Sequence, residues 1–320
     1  MKFIGVEIGG TKLQLVRGSR GVIEERRRIS IPKDWGAVGI RRAIVECLPS
    51  LLGNDDRRVA GGPTVESGAG AIGVGFGGPV DWRTGEICCS HQVAGWSEFP
   101  LGAWLAAQTK IPVFVDNDAN VAALGEAAHG AGKGCDPVFF STMGSGVGGG
   151  IVAEGRIYHG AKPGEGELGH VLLDRTGRIV ESSCSGWAVD RKMCEAAREN
   201  PEGILAKLLG NQVGGEAKML GEALRQGDAL AARILRETTE DMAFGLSHVT
   251  HLFHPEVIIL GGGLPLLGEP LREAVEVALR KFVMEAFQPG PKVRLAALGE
   301  DAVPIGALEL AARRSQEKQT

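Results

Sequence analysis

Residues 136–158 read DPVFFSTMGSGVGGGIVAEGRIY. Apolar stretches of strand length flank Thr142-Met143-Gly144-Ser145-Gly146-Val147-Gly148-Gly149-Gly150, in which five glycines and two hydroxyls fall within nine residues. A hairpin needs far fewer glycines, so the surplus predicts backbone N–H groups drawn close to a phosphate, an approach that a Cβ would obstruct. The same order of strand, glycine turn and strand opens the chain: KFIGVEI (2–8), Gly9-Gly10-Thr11-Lys12, LQLVRG (13–18), with the β-prone VIEERRRISI (22–31) after it. Two antiparallel meanders, each followed by helical and parallel-strand segments, predict a duplicated α/β unit with a cleft between the copies.

Between the meanders, AVGIRRAIVECLPSLL (37–52) and FPLGAWLAAQTK (99–110) have helical periodicity, while GAIGVGFGGPVD (70–81) and IPVFVDNDAN (111–120) read as buried strands. A helix is expected to begin at Asn120. Beyond the second meander, helices are expected over 188–200, 221–253 and 269–287, with the strand PEVIILGGGL (255–264) before the last. The closing helix is expected to be short, over 302–314, with a frayed tail at 315–320. A chain of 320 residues suits two domains. Their expected limits are 1–117, completed by a helix at about 305–320, and 118–304.

The glycine turn at Gly9–Lys12, taken alone, is equally a structural hairpin. The cluster Leu260-Gly261-Gly262-Gly263 follows an apolar strand, so its backbone could pack on a flat ligand such as adenine or ribose. A plain strand-to-helix turn is the competing reading there. Asp118 sits where a buried strand ends, a place suited to a general base, and is equally at home as a helix N-cap.

Composition excludes several classes. A formal net charge of −4 leaves no basic surface for nucleic acid, and the glycine-rich MKFIGVEIGG lacks the apolar core of a signal peptide. No apolar run reaches membrane-spanning length, so a cytoplasmic protein with no membrane partner is expected. The six cysteines contain no CxxC pair, and Cys88-Cys89 are vicinal, a pattern that points to reduced thiols.

Taken together in this order, GVEIGGTK, STMGSGVGGG and ILGGGL resemble the two phosphate motifs and the adenosine motif of the sugar kinase/actin superfamily. VDNDANVAALGE and GEGELGHV narrow the resemblance to the ROK family (repressors, open reading frames and kinases), over nearly the whole chain. The resemblance implies a duplicated actin-like, ribonuclease H-like α/β fold of two domains flanking a cleft. It implies a glucokinase-like enzyme that uses ATP and Mg²⁺ to phosphorylate a hexose, with glucose as first expectation.

By this resemblance Asp118 is the catalytic base and Asn120 the better cap. Gly78 of the GPVD turn, Gln92, Asn117, Glu167, His170 and Glu181 would line the sugar. Gly9, Gly10, Thr11, Lys12, Gly144, Ser145 and Gly146 would hold the phosphates, and Gly262 and Gly263 the adenosine. Glu7, where the family usually has aspartate, would approach Mg²⁺ through water. A homodimer is the family habit.

Two departures bear on these expectations. Most ROK proteins carry a CxCGxxGCxE zinc knuckle after the GH element, whereas Arg175–Glu181 forms a shortened, cysteine-free version here. Cys184, Cys194 and His170 make an incomplete, poorly spaced set for tetrahedral zinc, so no zinc site is expected. Glutamate at position 7 keeps the charge but extends it by a methylene. ROK repressors carry an added helix-turn-helix domain; here the first phosphate strand begins at Met1-Lys2-Phe3, which favours the kinase over a sugar-responsive regulator. A non-catalytic sugar- or nucleotide-binding protein is the remaining alternative.

Overall fold

A computed structural model of the chain describes residues 1–32, 34–53, 68–90, 93–164 and 166–317. The chain divides into two compact units. One comprises Met1–Gly134, Gly150–Glu165 and Glu300–Thr320; the other comprises Cys135–Gly149 and Gly166–Gly299.

The first unit begins with β1 (Lys2–Ile8), β2 (Lys12–Ser19) and β3 (Val22–Ser30), the expected antiparallel meander. Then come α1 (Gly36–Leu52), β4 (Ala69–Phe76), the short ribbon β5 (Val80–Asp81) with β6 (Glu86–Ile87), α2 (Leu101–Thr109), β7 (Val113–Asn117) and α3 (Asp118–His129). The sheet runs β3-β2-β1-β4-β7, with β1, β4 and β7 mutually parallel. Ile4, Val6, Leu13, Leu15, Ile72 and Val74 alternate into its core against Ile40, Ile44 and Leu48 of α1.

Next are β8 (Val138–Met143), β9 (Val147–Ala153) and β10 (Arg156–Ile157). The helices α4 (Val180–Cys184), α5 (Gly186–Glu199), α6 (Ile204–Leu209), α7 (Leu220–Arg225) and α8 (Ala229–Phe253) follow. The chain closes with β11 (Val257–Gly261), α9 (Glu269–Arg280), β12 (Lys292–Leu295) and α10 (Ala302–Glu317). The second sheet has the order β10-β9-β8-β11-β12, which repeats the pattern of the first strand for strand.

Several boundaries differ from expectation, and four of the differences have a clear local cause. α3 starts at Asp118, two residues early, because Asn117 rather than Asn120 caps it: Asn117 Oδ1 accepts from the N–H groups of Ala119 and Asn120 at 2.9 and 3.3 Å. The single helix expected over 221–253 is two, since Gly227 is left-handed (φ +77°) and Asp228 caps α8 by accepting from Ala231 N at 2.8 Å. α9 stops at Arg280, where Lys281 and Phe282 donate back only three residues and tighten the chain into a turn. α10 continues through Glu317 instead of fraying after Arg314, and residues 318–320 lie outside the described set.

Part of the glycine surplus serves packing rather than binding. α10 crosses the strands so closely that a methyl group on Gly73 would overlap the Ala307 carbonyl, and one on Gly306 would overlap that of Val121 in α3. Among the described residues, no helix is long and apolar enough to cross a membrane.

Candidate active site

Strand register assembles the first unit's polar face. Glu7 pairs with Gly75 and Gly75 with Asp116, while Ile8 pairs with Phe76 and Phe76 with Asn117. Three parallel strands therefore end level, and the Gly9–Lys12 turn, Gly77-Gly78 and Asp118 leave side by side at their carboxyl ends, the edge where open α/β sheets hold ligands. Gly77 sits between the other two: its N–H donates to Ile8 O at 2.9 Å, and a methyl group there would lie 3.4 Å from Asp118 Oδ2 and 3.7 Å from Gly9 Cα.

The turn itself is closed by Gly9 N donating to Lys12 O at 3.0 Å, with Thr11 exposed at its tip. Glu7 is already engaged: Gln14 Nε2 donates to Oε2 at 2.7 Å and Lys12 Nζ lies 3.1 Å from Oε1. Carboxylate oxygens accept more than one hydrogen bond, so a metal-bound water fits this group beside the lysine.

Asn117 does more than cap. Its Nδ2 donates to Gly78 O at 3.2 Å, which fixes the amide's orientation and leaves its second N–H beyond that bond. Asp118, the first residue of α3, is half-buried. The carboxyl of Asp81 in the GPVD turn is held below its ordinary pKa, first by Lys162 at 2.7 Å and then by the Arg83 N–H. Gln92 lies outside the described residues.

Sequence reasoning missed the support under this motif. Asp116 is buried; its Oδ1 accepts from Asn117 N at 2.9 Å and Asn120 Nδ2 at 3.0 Å, and His159 Nε2 meets Oδ2 at 2.7 Å. Trp82 stacks on His159, the centroids 4.1 Å apart. Asp116 stands within VDNDANVAALGE, a signal that could have flagged it; nothing local marks His159, 43 residues away.

In the second unit Leu260 pairs with Ser141 and Gly261 with Thr142, so β8 and β11 also end level. Gly262, left-handed at φ +94°, presses on the end of β8: a methyl group there would lie 2.7 Å from Met143 C and O. Glycine is obligatory at this position on both counts. Gly263 faces open space. The larger turn is closed by Gly144 N donating to Gly146 O at 2.9 Å, and Gly186 N at the start of α5 donates to Gly144 O at 2.7 Å. Ser145 is exposed at the tip.

Glu181 is brought to this turn, its Oε2 accepting from Val147 N at 2.9 Å, and Gly146 leaves room for the carboxylate. Glu167 and His170 flank a short 3₁₀ turn, with His170 Nδ1 3.3 Å from Glu167 Oε2 and both side chains at least half exposed.

The knuckle segment does not suit zinc. Cys184 is fully buried, its thiol donates to Thr238 O at 3.4 Å, and desolvation pushes its pKa up to about 12. Arg178 takes up the acidic groups here, pairing with Asp174 at 3.0 Å and with Asp241 of α8 at 2.6 Å. Among the described residues no group of three or more His, Cys, Asp or Glu converges.

The ROK family model matches residues 3–314. The chain belongs to the ROK family. A glucokinase from Halalkalibacterium halodurans is 32% identical over 95% of this chain and 93% of its own, and a Thermotoga maritima glucokinase is 30% identical over 98% of both. The crystal structure of a ROK glucokinase from Streptomyces griseus, in complex with glucose and AMPPNP, matches with a TM-score of 0.78 at 30% identity, covering 98% of this chain and 100% of that one. The expected actin-like ATPase fold of ROK sugar kinases is thereby established for the chain.

Proposed function

We propose that the chain is an ATP-dependent hexose kinase, with glucose as the first substrate to test. The carrying observation is the level ending of β1, β4 and β7, which sets Asp118 one glycine away from a phosphate-type turn. Glucokinase relatives spanning nearly the whole chain support the same reading.

Asp118 takes the proton from the acceptor hydroxyl as the sugar oxygen attacks the γ-phosphorus; the bond from that phosphorus to the bridging oxygen breaks and ADP leaves. Asn117, with its amide preset by Gly78 and the α3 backbone, donates to a sugar hydroxyl, and Gly78, Glu167, His170 and Glu181 complete the sugar contacts. The turns at Gly9–Lys12 and Gly144–Gly146 hold phosphate oxygens, and Gly262-Gly263 accept the adenosine. Mg²⁺ bound with ATP supplies charge neutralisation, and Glu7 is the residue that would face its water shell.

The irregular spacing of the six cysteines supports a reducing, cytoplasmic setting, and the family resemblance supports a homodimer. ADP release measured over a panel of glucose, mannose, fructose and hexosamines tests the activity. Turnover with at least one hexose is expected. Binding of sugar or nucleotide without turnover would instead make the chain a non-catalytic or regulatory ROK protein.

A further inference from the structure

We propose that Arg178 is a positioning residue for the sugar loop, tying the 171–180 hairpin to α8 and so fixing the spacing between His170 and Glu181. This rests on the hexose-kinase reading, in which those two residues contact the sugar.

The hairpin begins immediately after His170 and ends immediately before Glu181. It is a minimal ribbon: Val180 N donates to Val171 O at 3.0 Å, Leu173 N donates to Arg178 O at 2.7 Å, and Leu172 bridges Ile179. Two strands this short do not hold themselves in water, so outside contacts must fix the ribbon. Asp174 organises its tip, accepting from Thr176 N at 2.8 Å and from Thr176 Oγ1 at 2.5 Å.

Arg178 supplies the link to the rest of the unit. Its Nε donates to Asp174 Oδ2 at 3.0 Å, and Nη1 donates to Asp241 Oδ2 in α8 at 2.6 Å and to Ser183 Oγ in α4 at 3.4 Å. One planar group thus joins the ribbon tip, the helix carrying Glu181 and the longest helix of the unit, a geometry that a single ammonium does not reproduce. The Asp174 carboxyl is held well below the usual range, first by the Thr176 hydroxyl and then by Arg178, consistent with a charged, ordered tip.

α5 holds α4 as well. Arg191 Nη2 donates to Ser182 O and Lys192 Nζ to Ser183 O, both at 2.9 Å. Glu181 therefore reaches the Val147 N–H from a helix held by Arg178, Arg191 and Lys192, while the tip of the ribbon leading to His170 is anchored by Arg178. Because Arg178 is 47% exposed, its ion pairs contribute little to global stability. A role in loop placement and a role in holding the fold together consequently separate in measurement.

The test compares wild type with Arg178→Ala, Arg178→Lys and Asp241→Asn. For Arg178→Ala the expected result is a hexose KM raised about tenfold, kcat and ATP KM within about threefold of wild type, and a melting temperature within a few degrees. Arg178→Lys recovers part of the loss, Asp241→Asn moves KM in the same direction, and the double variant Arg178→Ala/Asp241→Asn is no worse than the worse single one. Hydrogen exchange at the Leu173 and Val180 amides accelerates in Arg178→Ala. Unchanged hexose KM, or unchanged exchange at those amides, overturns the proposal. A wild-type chain that phosphorylates no hexose would refute the kinase reading alone, and the exchange measurement would still decide whether Arg178 anchors the ribbon.

Discussion

His159 Nε2 lies 2.7 Å from Oδ2 of Asp116, a buried carboxylate two residues before Asp118 whose other oxygen accepts from Asn117 N and Asn120 Nδ2. A loop residue therefore braces the strand end from which the proposed base departs. Misplacing a reacting group by about 1 Å costs on the order of a hundredfold in rate. Asp116→Ala is expected to lower kcat by about that factor and His159→Ala by about tenfold, both with smaller changes in hexose KM. Steady-state kinetics on variants that melt near the wild-type temperature check this.

Gly73→Ala should destabilise the first unit, because the added methyl overlaps the Ala307 carbonyl and α10 must lift off the sheet. Overpacking of this kind costs about 1–3 kcal/mol, and a clash with backbone lies toward the upper end. A lowered melting temperature in a thermal scan is the expected outcome, as it is for Gly306→Ala.

The pH dependence of stability follows from Glu309 in α10. Burial pushes its carboxyl up, but hydrogen bonds from Arg20, His129 and Arg313 outweigh burial and hold the pKa down at about 2. Its unfolded value is about 4.3. A group depressed on folding contributes stability that is complete above the unfolded value and is lost as pH falls toward the folded one. Glu309→Gln should therefore be less stable than wild type at pH 7, with the gap narrowing between about pH 4.3 and 2. Urea midpoints measured across that range test it.

At Cys184 the expectation is silence. A thiol whose pKa desolvation has pushed up to about 12 should resist Ellman's reagent in the folded protein at pH 8 and react once urea unfolds it. Dialysis against EDTA followed by Mg²⁺ is expected to leave the melting temperature unchanged, because Arg178 joins Asp174 to Asp241 where a zinc knuckle would otherwise sit.

The architecture was legible because its signals are local. Glycine turns between apolar strands repeat, and hydrophobic period separates strands from helices, so both meanders, their parallel strands β4, β7 and β11 and most helices follow from the sequence, while β12, α4 and α6 were not read. The place of Asp118 at a strand end was legible; its reading as the base came from the family resemblance and is the proposal tested below. What escaped depends on distant packing. The Asp116–His159 pair needs a loop 43 residues away to fold back, and no local pattern encodes that. Neither capping reading, Asp118 or Asn120, picked Asn117, because the cap is the amide that the strand end leaves facing the first helical N–H groups; Asn120 instead donates to Asp116. The break at Gly227-Asp228 was visible as a glycine followed by a good cap, but strong flanking helical periodicity masked it.

The base assignment is tested most directly by Asp118→Asn, which keeps the side chain's shape and a hydrogen bond while removing the proton acceptor. Hexose binding followed by calorimetry should remain close to wild type, and kcat in the coupled ADP-release assay should fall by about 10²–10⁴-fold. Turnover within a few-fold of wild type in that variant would contradict the account.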